Sequence, residues 1–322
     1  MTQHPRRISV IVPTFNRPKF LREALASIRA LEGALYSFEI LVADNGLTPE
    51  TRDIAKAYGA RYIKVERRGA SEARNAGLRA ATGDYIAFLD DDDVWLSSHL
   101  GKHFEVLDAD PKIEAVLGQV IYTDHELKPL GPPSPEIAPA GGDDLLCRLL
   151  SDYLPQIGTI VARARIVRAN GEFYESLEGG EDLDWLIRMG RQRTMAFVPV
   201  PCLLFRGRPY LTYDALQIHR THFGRKVFLM HALPEWRLWR SPAHFLKAYT
   251  ARLWHFYQYF VDAAVKRSEA GDRTGAVQAI FGAFRVFPLR AAYHMVAPKP
   301  LRKAALTVLT SHSRGATRTA PK

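Results

Sequence analysis

Cysteine is scarce: Cys147 and Cys202 are the only two in 322 residues. That excludes a disulfide framework and fits a reducing compartment. Neither sits in a sequence neighbourhood of metal-site or catalytic-thiol type. No uninterrupted apolar run reaches the ~18 residues a spanning helix needs, so no conventional membrane span is expected. The opening MTQHPRRISVIVPTF does not read as a signal peptide, because its apolar run is short, ends at Pro13 and has no small-residue cleavage pattern. GxGxxG and GxxxxGK[ST] are both missing, which removes the nucleotide-binding motifs of dehydrogenases and P-loop enzymes. Acidic residues are rare in one region. Residues 201–322 carry 20 basic and 5 acidic side chains, a net +15, against −5 for residues 1–200. A basic tail on an acidic body suits an anionic partner: a membrane face, a substrate or a nucleic acid.

The 47% hydrophobic share is that of a globular protein, long enough for one large domain or one domain with an appendage. ISVIVPTF (8–15), FEILVAD (38–44), ARYIKVE (60–66), YIAFLD (85–90) and EAVLGQVIYTD (114–124) read as strands. Between them run helical stretches: one from Pro18, one opened by Thr48-Pro49 as N-cap and first helical residue, SEARNAGLRAA (71–81) stopped by Gly83, and SSHLGKHFEVLDAD (97–110). This alternation predicts βαβ units and a largely parallel sheet. PLGPPSPEIAPAGG (129–142) is a flap or a connector. PQIGTIVARARI predicts a strand leading into a short helix, EDLDWLIRMGRQR (181–193) a helix, and AFVPVPCLLFR (196–206) a strand closing the sheet. From about 210 the period is helical, with a break at Gly271-Asp272 that suggests an antiparallel pair. The tail 311–322 is polar, basic and expected to be disordered.

Chemistry concentrates at strand ends, where open α/β sheets bind ligands. FLDDDDVW puts Asp90, Asp91, Asp92 and Asp93 in a row. They are either a solvated acidic turn or a cation site, and the strand-end placement favours a hard cation such as Mg2+ or Mn2+. Asp44 closes the second strand. Arg74 is suited to bidentate phosphate contact, or to a surface ion pair with a glutamate. Glu181-Asp182 follows a double glycine, as a helix cap or as a general base. His99 and His103, spaced i, i+4 with no third ligand, read as an exposed helix face. The aromatics Trp254 to Phe260 read as a packed helix, part of which could dock on a membrane, and Trp95 as packing under the acidic loop.

The order ISVIVPTFNRP, EILVADNG, ASEARNAGLRAATGDYIAFLDDDDVW and GGEDLDWLIRM resembles a family 2 glycosyltransferase over about residues 6–206. The resemblance implies a GT-A fold, with a Rossmann-like, mostly parallel central sheet flanked by helices and a C-terminal helical extension. With it, the expected division is a GT-A nucleotide-sugar-binding and catalytic domain over 1–209, followed by the helical C-terminal region over 210–310 and the disordered basic tail over 311–322 that periodicity and composition give. It further implies an inverting, metal-dependent transferase (EC 2.4) with a DXD motif, a nucleotide-diphosphate sugar donor, UDP-linked by preference, and Mn2+ or Mg2+. Pro13, Thr14 and Phe15 match the first-strand turn that meets the nucleobase, Asp44 the aspartate on the base, and Arg74 the arginine near the nucleotide. Asp90, Asp91 and Asp92 match DXD. Asp92, with Asp90, is the implied metal ligand, and Asp91 lies nearer the ribose or sugar. Asp182 matches the general base, with Glu181 as its stand-in. The sequence departs from the family at Asp44-Asn45-Gly46-Leu47, where two acids and Gly-Ser are usual. It also has no QxxRW-like signature or spanning helices, which favours transfer of a single sugar.

The expected acceptor is a saccharide or lipid-linked saccharide in cell-surface or exopolysaccharide synthesis. The expected location is cytoplasmic, with peripheral contact at the inner membrane face and no nucleic-acid partner. The alternatives are a sugar-phosphate nucleotidyltransferase, which would want a GxGxR-type loop in place of PTFNRP, and a non-catalytic nucleotide- or nucleic-acid-binding protein.

Overall fold

The structure, a computed structural model, describes residues 5–207, 214–235, 239 and 241–310. It divides into two compact units, Met1–Arg208 and Pro209–Lys322.

The first unit is a sheet with helices on its faces. Its strands are β1 (Arg6–Thr14), β2 (Tyr36–Asp44), β3 (Arg61–Lys64), β4 (Tyr85–Phe88), β5 (Val94–Trp95), β6 (Ala115–Thr123), β7 (Val161–Arg163) and β8 (Met195–Arg206). Their spatial order is β3-β2-β1-β4-β7-β6-β8-β5. β1 pairs in parallel with β2 and β4, as β2 does with β3 and β6 with β8; β7 and β5 pair antiparallel. Because β2 and β3 run outward on one side of β1 and β4 starts the other side, the order reverses at β1/β4, and a crevice opens at their carboxyl ends.

Helices α1 (Pro18–Arg29), α2 (Glu50–Ala57), α3 (Ala70–Ala80) and α4 (His99–Ala109) follow the first strands. Ile8, Val10, Val12, Ile40 and Val42 from β1 and β2 form one core with Leu21, Leu25, Ile28 and Ile54 of α1 and α2. α3 lies so close to β1 that a side chain on Gly77 would collide with Ile11. Later come α5 (Gly142–Leu150), α6 (Ala164–Asn170) and α7 (Glu181–Gly190). Gly180, at φ 74°, makes the left-handed turn that launches α7.

Several local expectations change. Thr48 does not cap α2: its hydroxyl bonds Asn16 Oδ1 at 3.0 Å, and Pro49 takes the cap position without a side-chain bond. α3 ends because Ala81 turns extended, not at Gly83, which sits tight against Ser9. β4 stops at Phe88, before the acidic run. β7 has only three residues and runs antiparallel. The segment 129–142 is fastened along β6 by paired Val120–Ser134 backbone bonds (2.9 and 2.8 Å) and by Gln119 Nε2 to Pro135 O (2.9 Å), so it reads as a connector rather than a flap.

His99 and His103 are the largest correction. Both are fully buried rather than exposed, packed ring to ring at 4.9 Å, with His99 against Trp95. Cys202 joins them, the three offering donor atoms within 4.8 Å of one another. Sequence spacing could not show this, because Cys202 arrives on β8 from a hundred residues away. The cluster is held neutral. Burial pushes the Cys202 thiol up to about 12 and His103 down to about 4, and His99 lies well below its ordinary value.

An acid sensitivity follows. Between its ordinary pKa and about 4, the unfolded chain takes a proton at His103 that the folded chain refuses. Its stability contribution is therefore complete above about pH 6.5 and drains as pH falls, by about 2 kcal/mol at pH 5. Urea unfolding of His103→Gln should show a shallower loss of stability than the parent over this window. An unchanged slope would overturn the assignment.

The second unit is helical: α8 (Asp214–Ala232), α9 (Pro242–Glu269), α10 (Arg273–Val286), α11 (Pro288–Val296) and α12 (Pro300–Thr310). α9 starts with Ser241 Oγ accepting from His244 N at 3.2 Å, and α10 with Asp272 accepting from Gly275 N at 2.9 Å. α9 and α10 are an antiparallel pair, Phe260 facing Gly282 and Tyr257 meeting Phe287. Phe256, Tyr257 and Phe260 are buried in this core, as a packed helix requires. No helix among the described residues is long and apolar enough to cross a membrane. The expected disorder of 311–322 lies outside the described residues.

Candidate active site

The β1/β4 crevice holds an open cleft of about 240 Å3. Pro13 and Thr14 line it from the end of β1, Phe15 and Arg17 from the turn after it, Arg74 from α3, and Asp90, Asp91 and Asp92 from the turn after β4. Asp44 does not line it. Its carboxylate, 1% exposed, accepts from Tyr62 Oη at 3.0 Å and Gly46 N at 2.7 Å, while neighbouring Asn45 reaches the cleft.

The four aspartates divide by partner. Asp91 accepts from Thr14 Oγ1 (2.7 Å) and Arg17 Nη1 (3.0 Å), and the same Nη1 donates to Asp92 at 2.7 Å. Burial, with Asp92 close by, raises the Asp91 carboxyl to about 6 although Arg17 and Thr14 pull it down. Asp90 accepts from Arg74 Nη2 at 2.8 Å. Asp93 serves the scaffold: its Oδ1 accepts from Arg206 N at 2.9 Å, and Arg206 Nε returns to Asp92 O at 2.8 Å. Arg206 also pairs with Glu23, pinning the acidic turn to the end of β8 and to α1.

Arg74 is not a surface pair. It is 4% exposed and bridges two carboxylates, Asp90 and Glu181, each at 2.8 Å. Burial alone would lower its pKa, but Asp90 and Glu181 outweigh that and raise it. One guanidinium thus joins the acidic turn to the first residue of α7. Asp182 stands beside Glu181, with Oδ1 accepting from Leu183 N at 2.7 Å. Burial and the adjacent Glu181 push its carboxyl up to about 6, against the pull of Arg74. Glu181 is committed to Arg74, whereas Asp182 accepts from a backbone N–H. α7 is a rigid mount, because Trp185 is fully buried between Phe88 and Phe173 and donates to Gly171 O at 2.9 Å.

Three contributors escaped the sequence reading. Arg17 spans Asp91 and Asp92. Arg68 lies over the Phe15 ring at 4.2 Å and lines the cleft. Asn16, at φ 54°, ties the β1 turn to the β2 turn, with Oδ1 accepting from Leu47 N (2.7 Å) and Thr48 N (3.2 Å). Only Asn16 had a signal, since asparagine tolerates the left-handed region that a tight turn needs.

The donor set suits a hard divalent cation. Asp90, Asp91 and Asp92 offer carboxylate oxygens only, and the Asp91–Asp92 pair already draws a positive group, Arg17 Nη1, between them.

Residues 9–154 match the family model for glycosyl transferase family 2. Validoxylamine A glucosyltransferase of Streptomyces hygroscopicus subsp. jinggangensis is 38% identical over 95 residues, 28% of this chain and 22% of that protein. The chain spans about a fifth of the length of the first curated relatives it matches. Among solved structures, S. aureus TarS 1-349 in complex with UDP-GlcNAc superposes with a TM-score of 0.57 at 18% identity, over 96% of this chain and 92% of that one. Glucosyl-3-phosphoglycerate synthase from Mycobacterium tuberculosis, with Mn2+, UDP and glucosyl-3-phosphoglycerate, gives 0.50 at 24% identity over 70% of this chain and 80% of that one. These structures share the GT-A fold with this chain. Over residues 9–154, carried on that fold, the chain is therefore similar to glycosyl transferase family 2.

Proposed function

We propose that the chain is a metal-dependent inverting glycosyltransferase that moves one sugar from a nucleotide-diphosphate donor, UDP-linked, to a hydroxyl of a saccharide or lipid-linked saccharide in cell-surface glycan synthesis. The observation that carries this reading is the Asp90–Arg74–Glu181 bridge, which couples an acidic cleft at a sheet switch point to a carboxyl of raised pKa at the start of a helix. The UDP complexes of TarS and the mycobacterial synthase support the donor class.

In this reading Pro13, Thr14 and Phe15 receive the nucleobase side of the donor, with Asp44 behind them. Asp92 and Asp90 would hold Mn2+ or Mg2+, with Asp91 nearer the ribose or sugar; the cation supplies neutralisation of charge on the departing diphosphate. Asp182 accepts the proton of the acceptor hydroxyl, which attacks the anomeric carbon from the face opposite the leaving group. The bond to the diphosphate breaks as the new glycosidic bond forms, and a single displacement inverts the configuration. Arg74 fixes the acidic turn and the base helix relative to each other.

Calorimetric titration with UDP, GDP, dTDP and CDP, each with and without Mn2+, tests the reading. Metal-dependent binding of UDP is expected, weakened at least about tenfold by Asp92→Ala, on the scale of metal-site substitutions. Binding of no diphosphate would refute the transferase reading. Unchanged metal affinity in the variant would refute Asp92 as a ligand.

A further inference from the structure

Helix α11 inverts the usual amphipathic arrangement, and α12 follows it in part. A helix on a soluble protein buries its large apolar side chains and shows polar ones. α11 buries only Ala291 and turns Leu289 (89% exposed), Tyr293 (62%) and Val296 (78%) outward, at i, i+4 and i+7 on one face. α12 buries Leu301 and Ala304 but shows Leu309 (69%) and Leu306. Lys299, Arg302 and Lys303 border these side chains and line an apolar-walled cleft of about 710 Å3 with Pro298 and Leu306. The sequence from Arg273 to Lys322 contains no aspartate or glutamate.

We propose that the outward face of α11 and α12 is a docking surface for an anionic lipid bilayer, the helices lying in the interface with Leu289, Val296 and Leu309 among the acyl chains and Lys299, Arg302 and Lys303 at the headgroups. Charge complementarity selects this occupant. Exposed aliphatic side chains have no role on a nucleic acid, which is met by cations and stacking aromatics. A second copy of the chain would bring two faces of the same positive sign together. A surface that is aliphatic at its centre and cationic at its edge, where Lys299 and Arg302 stand beside Lys303 with its 3.1 Å pair to Glu269, is what an anionic headgroup layer takes up. The proposal is independent of the transferase reading, because its residues lie in the second unit and none belongs to the cleft.

The test is co-sedimentation of the full chain with vesicles of phosphatidylcholine alone and of phosphatidylcholine mixed with phosphatidylglycerol. Partitioning onto the mixed vesicles is expected, falling with salt. Arg302→Glu/Lys303→Glu should reduce it at least about twentyfold, since each cation near an anionic surface is worth roughly fivefold. Leu289→Ser/Val296→Ser should reduce it about tenfold or more. These side chains are solvent-exposed, so unchanged circular dichroism and unchanged UDP binding are expected to accompany the loss. Equal binding to both vesicle types, no binding to either, or a dimer in solution that Leu289→Ser dissociates would each overturn the proposal.

Discussion

Asp182→Asn is expected to lower kcat by about 10²–10⁴-fold, the usual contribution of a positioned acid–base group, while UDP affinity stays within about twofold. The amide keeps the size of the side chain but cannot accept the proton. The same assignment gives the pH profile its direction. A base works only when ionised, and the Asp182 carboxyl is raised to about 6 by burial and by Glu181. Turnover should therefore climb as pH rises through about 6 and level off above it. Glu181→Gln removes the repelling neighbour, so its profile should move to lower pH while activity survives. Full turnover in Asp182→Asn, measured with the fitted UDP-sugar and acceptor, would remove Asp182 from the reaction.

The sequence made the first half of the sheet legible because each element there is locally determined. ISVIVPTF and FEILVAD are buried, β-branched strands, and Pro18 sets the start of α1 whatever the rest of the chain does. Asp90 to Asp92 could be placed at a cleft because strand ends bind ligands in any such sheet. What stayed hidden depends on pairs far apart in sequence. Arg17 meets Asp91 and Asp92 across more than seventy residues, and Arg74 meets Glu181 across 107. His99 and His103 looked like an exposed face because their i, i+4 spacing says only that they share a side of α4. Which side is buried is decided by β6 and β8. Asp93 was indistinguishable from its neighbours until Arg206 claimed it. On α11 the ordinary rule that large apolar side chains turn inward fails, and the packing of the helix through Ala291 turns Leu289 out.

Arg74→Met should cost more stability than any other substitution in the cleft, roughly 3 kcal/mol. That is the low end for breaking a buried ion pair, because the Asp90 side chain is one-third exposed. The cost is not the lost attraction itself. Methionine fills the volume but leaves Glu181 paired with nothing, beside Asp182 and within reach of Asp90, so neighbouring carboxylates repel where one guanidinium had held them. Adding Glu181→Gln should recover part of the loss by removing one of those charges, and urea unfolding of the two single variants and the double variant measures the coupling. The loss also reaches catalysis. The Arg74 guanidinium lowers the Asp182 pKa, so without it the base stays protonated to higher pH. The rising limb of the pH–rate profile should shift upward in Arg74→Met and return toward its parent position in the double variant. A destabilised Arg74→Met whose pH profile coincides with the parent would confine Arg74 to the scaffold and break its link to the base.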